Sequence, residues 1–191
     1  MKNTAKAIRI LTLAPILAGI MLICIQAARP EVFSNGGYFA YTFFLLTVLP
    51  VFAYPMQKLL PHFREKDREG QRHLAMIFAF LGYVLDCAIN IVTGAPDTLV
   101  YIGFMYLLSG TLVLAFNQAL HLRASGHAAG VAAALLILVT LQIKYALPVG
   151  LFIIALVYAS SLYMKRHTLM QLLGGTLIPI GVNIVLSAFF I

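Results

Sequence analysis

The sequence predicts an all-α protein, a polytopic membrane helix bundle of about six to seven transmembrane helices. Three observations predict it. Of 191 residues, 62% are hydrophobic and only 10% are charged, against about 25% charged in soluble domains. A chain this apolar has no polar surface to turn toward water. The apolar residues also fall into runs of about 20, the length a helix needs to cross the hydrocarbon core. Finally, charges, Gly and Pro gather in the breaks between runs. The length leaves no room for a second domain, so 1–191 reads as a single integral membrane domain.

The elements follow in chain order. The first run, 7–28, is long enough to span and reads as a retained helix, not a cleaved signal. Arg29-Pro30-Glu31 and Ser34-Asn35-Gly36-Gly37 end it. The second run is 38–60. Pro61 to His73 is the one sizeable polar loop, and its mixed-sign stretch from Arg64 to His73 reads as a solvated, salt-bridged turn. The third run, 74–93, stops at the tight turn Gly94-Ala95-Pro96-Asp97. The fourth, 98–120, is broken from the fifth by Arg123 to Gly126. The fifth, 127–143, is short, so a merged or re-entrant piece here would make the count six. Lys144 to Pro148 separates it from 148–164, and the last run is 169–190. Cys24 and Cys87 both lie in apolar stretches and read as packing residues.

With seven spans, the charges segregate. One face holds Lys2, Lys6, Arg9, Lys58, Arg64, Lys66, Arg68, Arg72, Arg123, Lys165 and Arg166, together with all the histidines; the other holds Arg29 and Lys144. The excess of cations puts the rich face in the cytoplasm and the carboxyl terminus outside. The expected setting is a bacterial inner membrane. Topogenic charge accounts for the amino-terminal lysines. In the 64–73 loop, Arg68 and Arg72 are candidates for clamping phosphate oxygens. His62, His73 and His121 read as interfacial anchors.

Two histidines sit in patterned surroundings. Arg123-Ala124-Ser125-Gly126-His127 opens the fifth helix, and Lys165-Arg166-His167 opens the seventh, with Gln171 four residues on. A helix start presents backbone N–H groups and positive dipole, which suit an anion. Gly126 lets the backbone approach an oxyanion closely. Helices five and six go out and return, so the two starts can meet. A cluster of imidazoles and cations at a membrane surface suits a lipid phosphate.

These residues resemble the type 2 phosphatidic acid phosphatase superfamily of membrane lipid phosphatases. Ala124-Ser125-Gly126-His127 is similar to its Pro-Ser-Gly-His motif, with Ala for Pro. Ser160 through Gln171 is similar to its last motif, Ser-Arg, five residues, His, three residues, Asp. The histidine spacing agrees, but Ser161 stands for Arg and Gln171 for Asp. The family's first motif has no clear counterpart, and Arg123 or the 64–72 loop would stand in for it. The similar part covers about 98–190, with its motifs between 121 and 175.

The resemblance implies a mechanism. His167 attacks phosphorus and forms a phosphohistidine, and His127 protonates the leaving alkoxide. Ser125 and the Gly126 N–H hold phosphoryl oxygens; Arg123, Lys165 and Arg166 neutralise their charge. No cofactor and no metal is expected, since the cations supply the charge and the histidines lack a nearby Cys or acidic ligand set. The expected partners are membrane lipids carrying phosphate, not nucleic acid; oligomeric state is open. Gln171 can orient an imidazole through its amide oxygen but brings no charge, and Ser161 brings no guanidinium fork. The chain is therefore either a rewired phosphatase or a lipid-phosphate binder or transporter that has lost catalysis.

Within the spans, Asp86 lies roughly 20 Å along its helix from His73, too far for a direct role at the histidines. It is expected protonated and bonded to a neighbouring helix. Asn90, Asn117, Gln118, Gln142 and Asn183 read as helix-to-helix hydrogen bonders.

Overall fold

The structure, a computed structural model, describes residues 7–8, 10–119 and 123–191, without the side chain of Arg68. Lys2, Lys6, Arg9 and His121 lie outside the described residues. What is described is helical: α1 (Ala14–Ala28), α2 (Gly36–Leu59), α3 (Asp67–Thr93), α4 (Asp97–Ala119), α5 (Gly126–Thr140), α6 (Ala146–Tyr163) and α7 (Leu169–Phe190). The chain is an integral, multi-pass membrane protein. Five of these helices, α2, α3, α4, α6 and α7, are long and apolar enough to cross a membrane, while α1 and α5 are shorter. At 15 residues each, the short pair rises about 22 Å, less than a hydrocarbon core of about 30 Å.

Local chemistry explains where elements depart from the apolar runs. The first run is interrupted at Thr12–Leu13 because Pro15 sits in the first turn of α1; it has no N–H to donate and its ring clashes with the carbonyl four residues back, so a regular helix does not run through it. The polar loop is shorter than its composition predicts. Pro61–Arg64 forms a single turn, and helix resumes at Asp67, where Asp67 and Glu69 complement the amino-terminal dipole. The Gln57 side-chain amide ties the junction, donating to the Phe63 and Asp67 carbonyls at 3.1 and 2.7 Å. The expected salt-bridged turn is thus largely the first turns of α3. In α2 the backbone widens to a π-turn over Phe44–Val48 just before Pro50, a proline that cannot donate into a regular helical ladder.

The buried core is apolar and gathers α1, α4, α5 and α7, with Leu22, Ile25, Leu99, Ile102, Met105 and Ile137 fully enclosed. On one side of it, α3 packs against α2 and α4. Polar groups join the helices inside. Asn183 of α7 accepts from Tyr101 of α4 and from Thr140 of α5, and Tyr41 of α2 donates to Asn90 of α3. Asp86 is fully buried, and its carboxyl meets the Thr42 side chain of the neighbouring α2. Its Oδ2 accepts from Asn90, one turn on in its own helix, at 3.0 Å. Gly103 brings the α4 backbone so close that a Cβ there would lie 2.7 Å from Oδ2.

The bundle has two polar ends. At one, Arg29 reaches the Leu141 carbonyl and Tyr38 the Thr93 carbonyl. At the other, Thr12 meets His127 and Ser125 meets Gln171.

Candidate functional site: two helix starts

The starts of α5 and α7 are joined directly. The Ser125 N–H donates to the Gln171 carbonyl at 2.9 Å. Gly175, one turn further into α7, makes this possible, because a Cβ there would stand 2.3 Å from the Ser125 carbonyl oxygen. The two motifs, 46 residues apart as counted from Ser125 to Gln171, therefore share one end of the bundle.

Each residue of the first motif has a definite place. Ser125 is the N-cap of α5 and its Oγ accepts from the Ala128 N–H at 3.3 Å. It is fully buried, so its hydroxyl and N–H build the turn. Gly126 is exposed at the first helical position, where backbone leaves its N–H without an intrahelical acceptor. Arg123 is exposed and holds a left-handed backbone, φ 48°. His127 is half-buried, with Nε2 3.0 Å from the Thr12 hydroxyl.

The second motif starts from the end of α6. The Arg166 N–H donates to the Ser161 carbonyl at 3.0 Å and the Lys165 N–H to Leu162 at 2.9 Å, with Lys165 left-handed at φ 52°. This is the helix ending usually built on glycine. It sends Lys165 and Arg166 off the helix into solvent. Ser161 itself is buried, 4% exposed. His167 is half-buried, with Nδ1 3.2 Å from Gln171 Oε1. The same Oε1 accepts from the Thr168 N–H, while Thr168 Oγ1 accepts from the Gln171 N–H. Gln171 thus closes a capping box on α7 and holds the imidazole with the same oxygen.

The hydrogen bonds fix chemistry at His167. A backbone N–H can only donate, so the Gln171 atom facing Thr168 is the amide oxygen, an acceptor. Nδ1 of His167 must then carry the proton in that contact, and in the neutral ring the lone pair resides on Nε2. The uncharged amide does here what a carboxylate would do for orientation, without stabilising the imidazolium.

Arg123, Lys165 and Arg166 are exposed and have no counter-charge among the described residues, where the one ion pair is Arg29–Glu31 at the far end. Arg72 lines a groove with Glu69, His73 and Met76 on α3, the helix that packs on α2 and α4. The structure brings Ser125, and with it Gly126 and His127, to Gln171. His62 lies 3.2 Å from Lys66 Nζ, exposed on the turn before α3. Among the described residues, no three His, Cys, Asp or Glu side chains gather as a metal site.

Sequence reasoning missed Thr12 and Thr168. Thr168-x-x-Gln171 carries a capping-box signature readable from sequence. Thr12 carries none, since its partner is 115 residues away. Comparison with family models, curated proteins and solved structures finds no match to the chain.

Proposed function

We propose that this protein is a membrane lipid-phosphate phosphatase or phosphotransferase acting through a phosphohistidine, on phosphatidate-like or polyprenyl-phosphate-like lipids. One observation carries the reading: two helix starts, each bearing an imidazole, are clasped by the Ser125–Gln171 hydrogen bond beside exposed cations that have no ion pair among the described residues. The His167 tautomer agrees with it, since the lone pair sits on Nε2 when Nδ1 is held by Gln171.

The chemistry balances with these groups alone. The Nε2 lone pair of His167 attacks phosphorus as the bond to the lipid oxygen breaks, and that oxygen takes a proton from His127. Water then attacks the phosphohistidine, giving its proton to His127, and the N–P electron pair returns to His167. Arg123, Lys165 and Arg166 balance charge on the phosphoryl oxygens. The remaining pieces of the reading are a seven-pass bundle, with α1 and α5 reaching across in short, partly sunken form, and a bacterial inner membrane with the histidine end in the cytoplasm.

A second reading is a non-catalytic lipid-phosphate binder or transporter. Buried Ser161 and uncharged Gln171 favour it. Phosphate release from phosphatidate, phosphatidylglycerophosphate and polyprenyl phosphates by detergent-purified protein separates the two. Release that His167→Ala abolishes supports the enzyme. Binding of the same lipids without release by folded protein sinks it in favour of the binder.

A further inference from the structure

Asp86 is the one acidic residue buried inside a span. The other five, Glu31, Glu65, Asp67, Glu69 and Asp97, stand in turns or in the first turn of a helix. Three helices enclose Asp86. Its own helix, α3, adds Cys87 and Asn90, α2 supplies Tyr41 and Thr42, and α4 presses its backbone at Gly103 against the carboxyl. Asp86, Asn90 and Thr42 are each 0% exposed. No Lys, Arg or His acts on the carboxyl, and the titratable groups that face it are Tyr41 and Cys87. Oδ2 is occupied, accepting from Asn90 at 3.0 Å. Oδ1 has no hydrogen-bond partner, and neither has Thr42 Oγ1, although the Thr42 side chain meets the carboxyl.

An ionised carboxylate without counter-charge inside a span is costly, so its charge is removed by a proton or balanced by a cation. A metal cation gathers several oxygens at once, whereas Oδ2 already holds Asn90 and has Gly103 packed against it. A proton on Oδ1 adds almost no volume and gives both unpartnered oxygens a bond. The cluster also leads in one direction. The Tyr41 hydroxyl donates to Asn90 Oδ1 and meets the side chains of Thr42 and Thr93. Thr93, the last residue of α3, is exposed, roughly 10 Å along the helix from Asp86. This is the Arg29–Lys144 end of the bundle. Toward the histidine end the α2 and α3 backbones close on each other. A Cβ on Gly82 would stand 2.2 Å from the Leu45 carbonyl oxygen, and Leu45 and Leu46 are buried there.

We propose that Asp86 is a proton-binding site whose proton exchanges with the Arg29–Lys144 end by way of Thr42 and Tyr41. This site is separate from the histidine end and does not depend on the chemistry there. On release, the Asp86 O–H bond breaks and its electron pair stays on the carboxylate. Thr42 takes that proton and passes its own to Tyr41, and Tyr41 passes its own to water at Thr93, since a hydroxyl both accepts and donates. Uptake reverses the steps. A carboxyl that exchanges its proton with one face is the element a proton-coupled transport step uses.

Infrared spectroscopy of the full chain in detergent, in water and after transfer to D2O, reads the C=O band of a protonated carboxyl. Wild type at neutral pH is expected to show a band that Asp86→Asn removes and Asp86→Glu moves. The band should fade as pH is raised and shift in D2O as the proton exchanges. Tyr41→Phe should keep the band but slow its shift about tenfold, since exchange then waits for a local opening of the helices. Tyr158→Phe, which removes a contact between α6 and α7, should leave the rate unchanged. No Asp86-dependent band at neutral or acidic pH overturns the proton site. A band that never shifts, or that shifts as fast in Tyr41→Phe as in wild type, overturns the exchange route. If sodium in place of potassium raises the wild-type melting temperature and Asp86→Asn does not respond, the site takes a metal cation and the proton assignment fails.

Discussion

The two polar ends of the bundle use their cations in opposite ways. At the Arg29–Lys144 end every cation is spent within the protein. Arg29 pairs with Glu31 at 3.0 Å and donates to the Leu141 carbonyl at 3.3 Å, and Lys144 lies over the Tyr145 ring at 4.9 Å. At the histidine end, Arg123, Lys165 and Arg166 project from turns with no ion pair among the described residues, while the uncharged groups, Ser125, Thr12, Thr168 and Gln171, do the fastening. An end that closes a turn consumes its charges. The histidine end keeps Arg123, Lys165 and Arg166 exposed and holds itself together with neutral hydrogen bonds. Net positive charge alone does not make this distinction; the partners do.

The comparison breaks most sharply at His167. His167→Ala should lower lipid-phosphate hydrolysis by about four orders of magnitude or more, measured as phosphate release at saturating lipid. Arg29→Gln, at the other end, should leave that rate within about twofold. Residual activity of His167→Ala near wild type would remove the difference between the ends. Next in size, Lys165→Gln with Arg166→Gln should raise KM for phosphatidate by about ten- to a hundredfold, and about 0.5 M salt should weaken wild-type binding in the same direction. Lys144→Gln should do neither. Gly175→Ala forces α7 away from the Ser125 carbonyl. It should cost about 1–3 kcal/mol in detergent unfolding and lower turnover with it. Gly181→Ala, where a Cβ meets nothing within 4 Å, is its control.

The smallest effect belongs to Glu31. The Arg29 guanidinium holds its carboxyl below the ordinary 4.5. A depressed carboxylate contributes stability above its unfolded value, and that contribution is lost as pH falls through the folded one. The pair is exposed, so Glu31→Gln should shift the melting temperature at pH 7 by no more than about a degree, and the difference from wild type should vanish once the pH has fallen through the lowered value of Glu31.

The sequence made the helices legible because about 20 apolar residues between charges leave little else to build. It did not reveal that Pro15 shortens α1 or that Asp67 and Glu69 begin α3 seven residues before the apolar run at 74, since both are local backbone choices made against composition. The site was legible in part. Spaced histidines after Gly and Arg pointed to two helix starts, and residue order predicted that they meet. Gln171 reads in sequence only as a lost charge, yet its amide oxygen serves the helix cap and the imidazole together. Ser125 reads as a phosphate ligand, yet it is fully buried as the cap. Thr12 was invisible, because nothing near it in the chain says that it faces His127.

The central claim, phosphoryl transfer through His167, is tested most directly by trapping the intermediate. Purified protein is mixed with lipid phosphate carrying ³²P, quenched within milliseconds in base, and the label on protein is tested for loss in acid. The account predicts base-stable, acid-labile label on wild type and none on His167→Ala. Phosphate release from wild type with no label on the protein, or label that persists in His167→Ala, would contradict it.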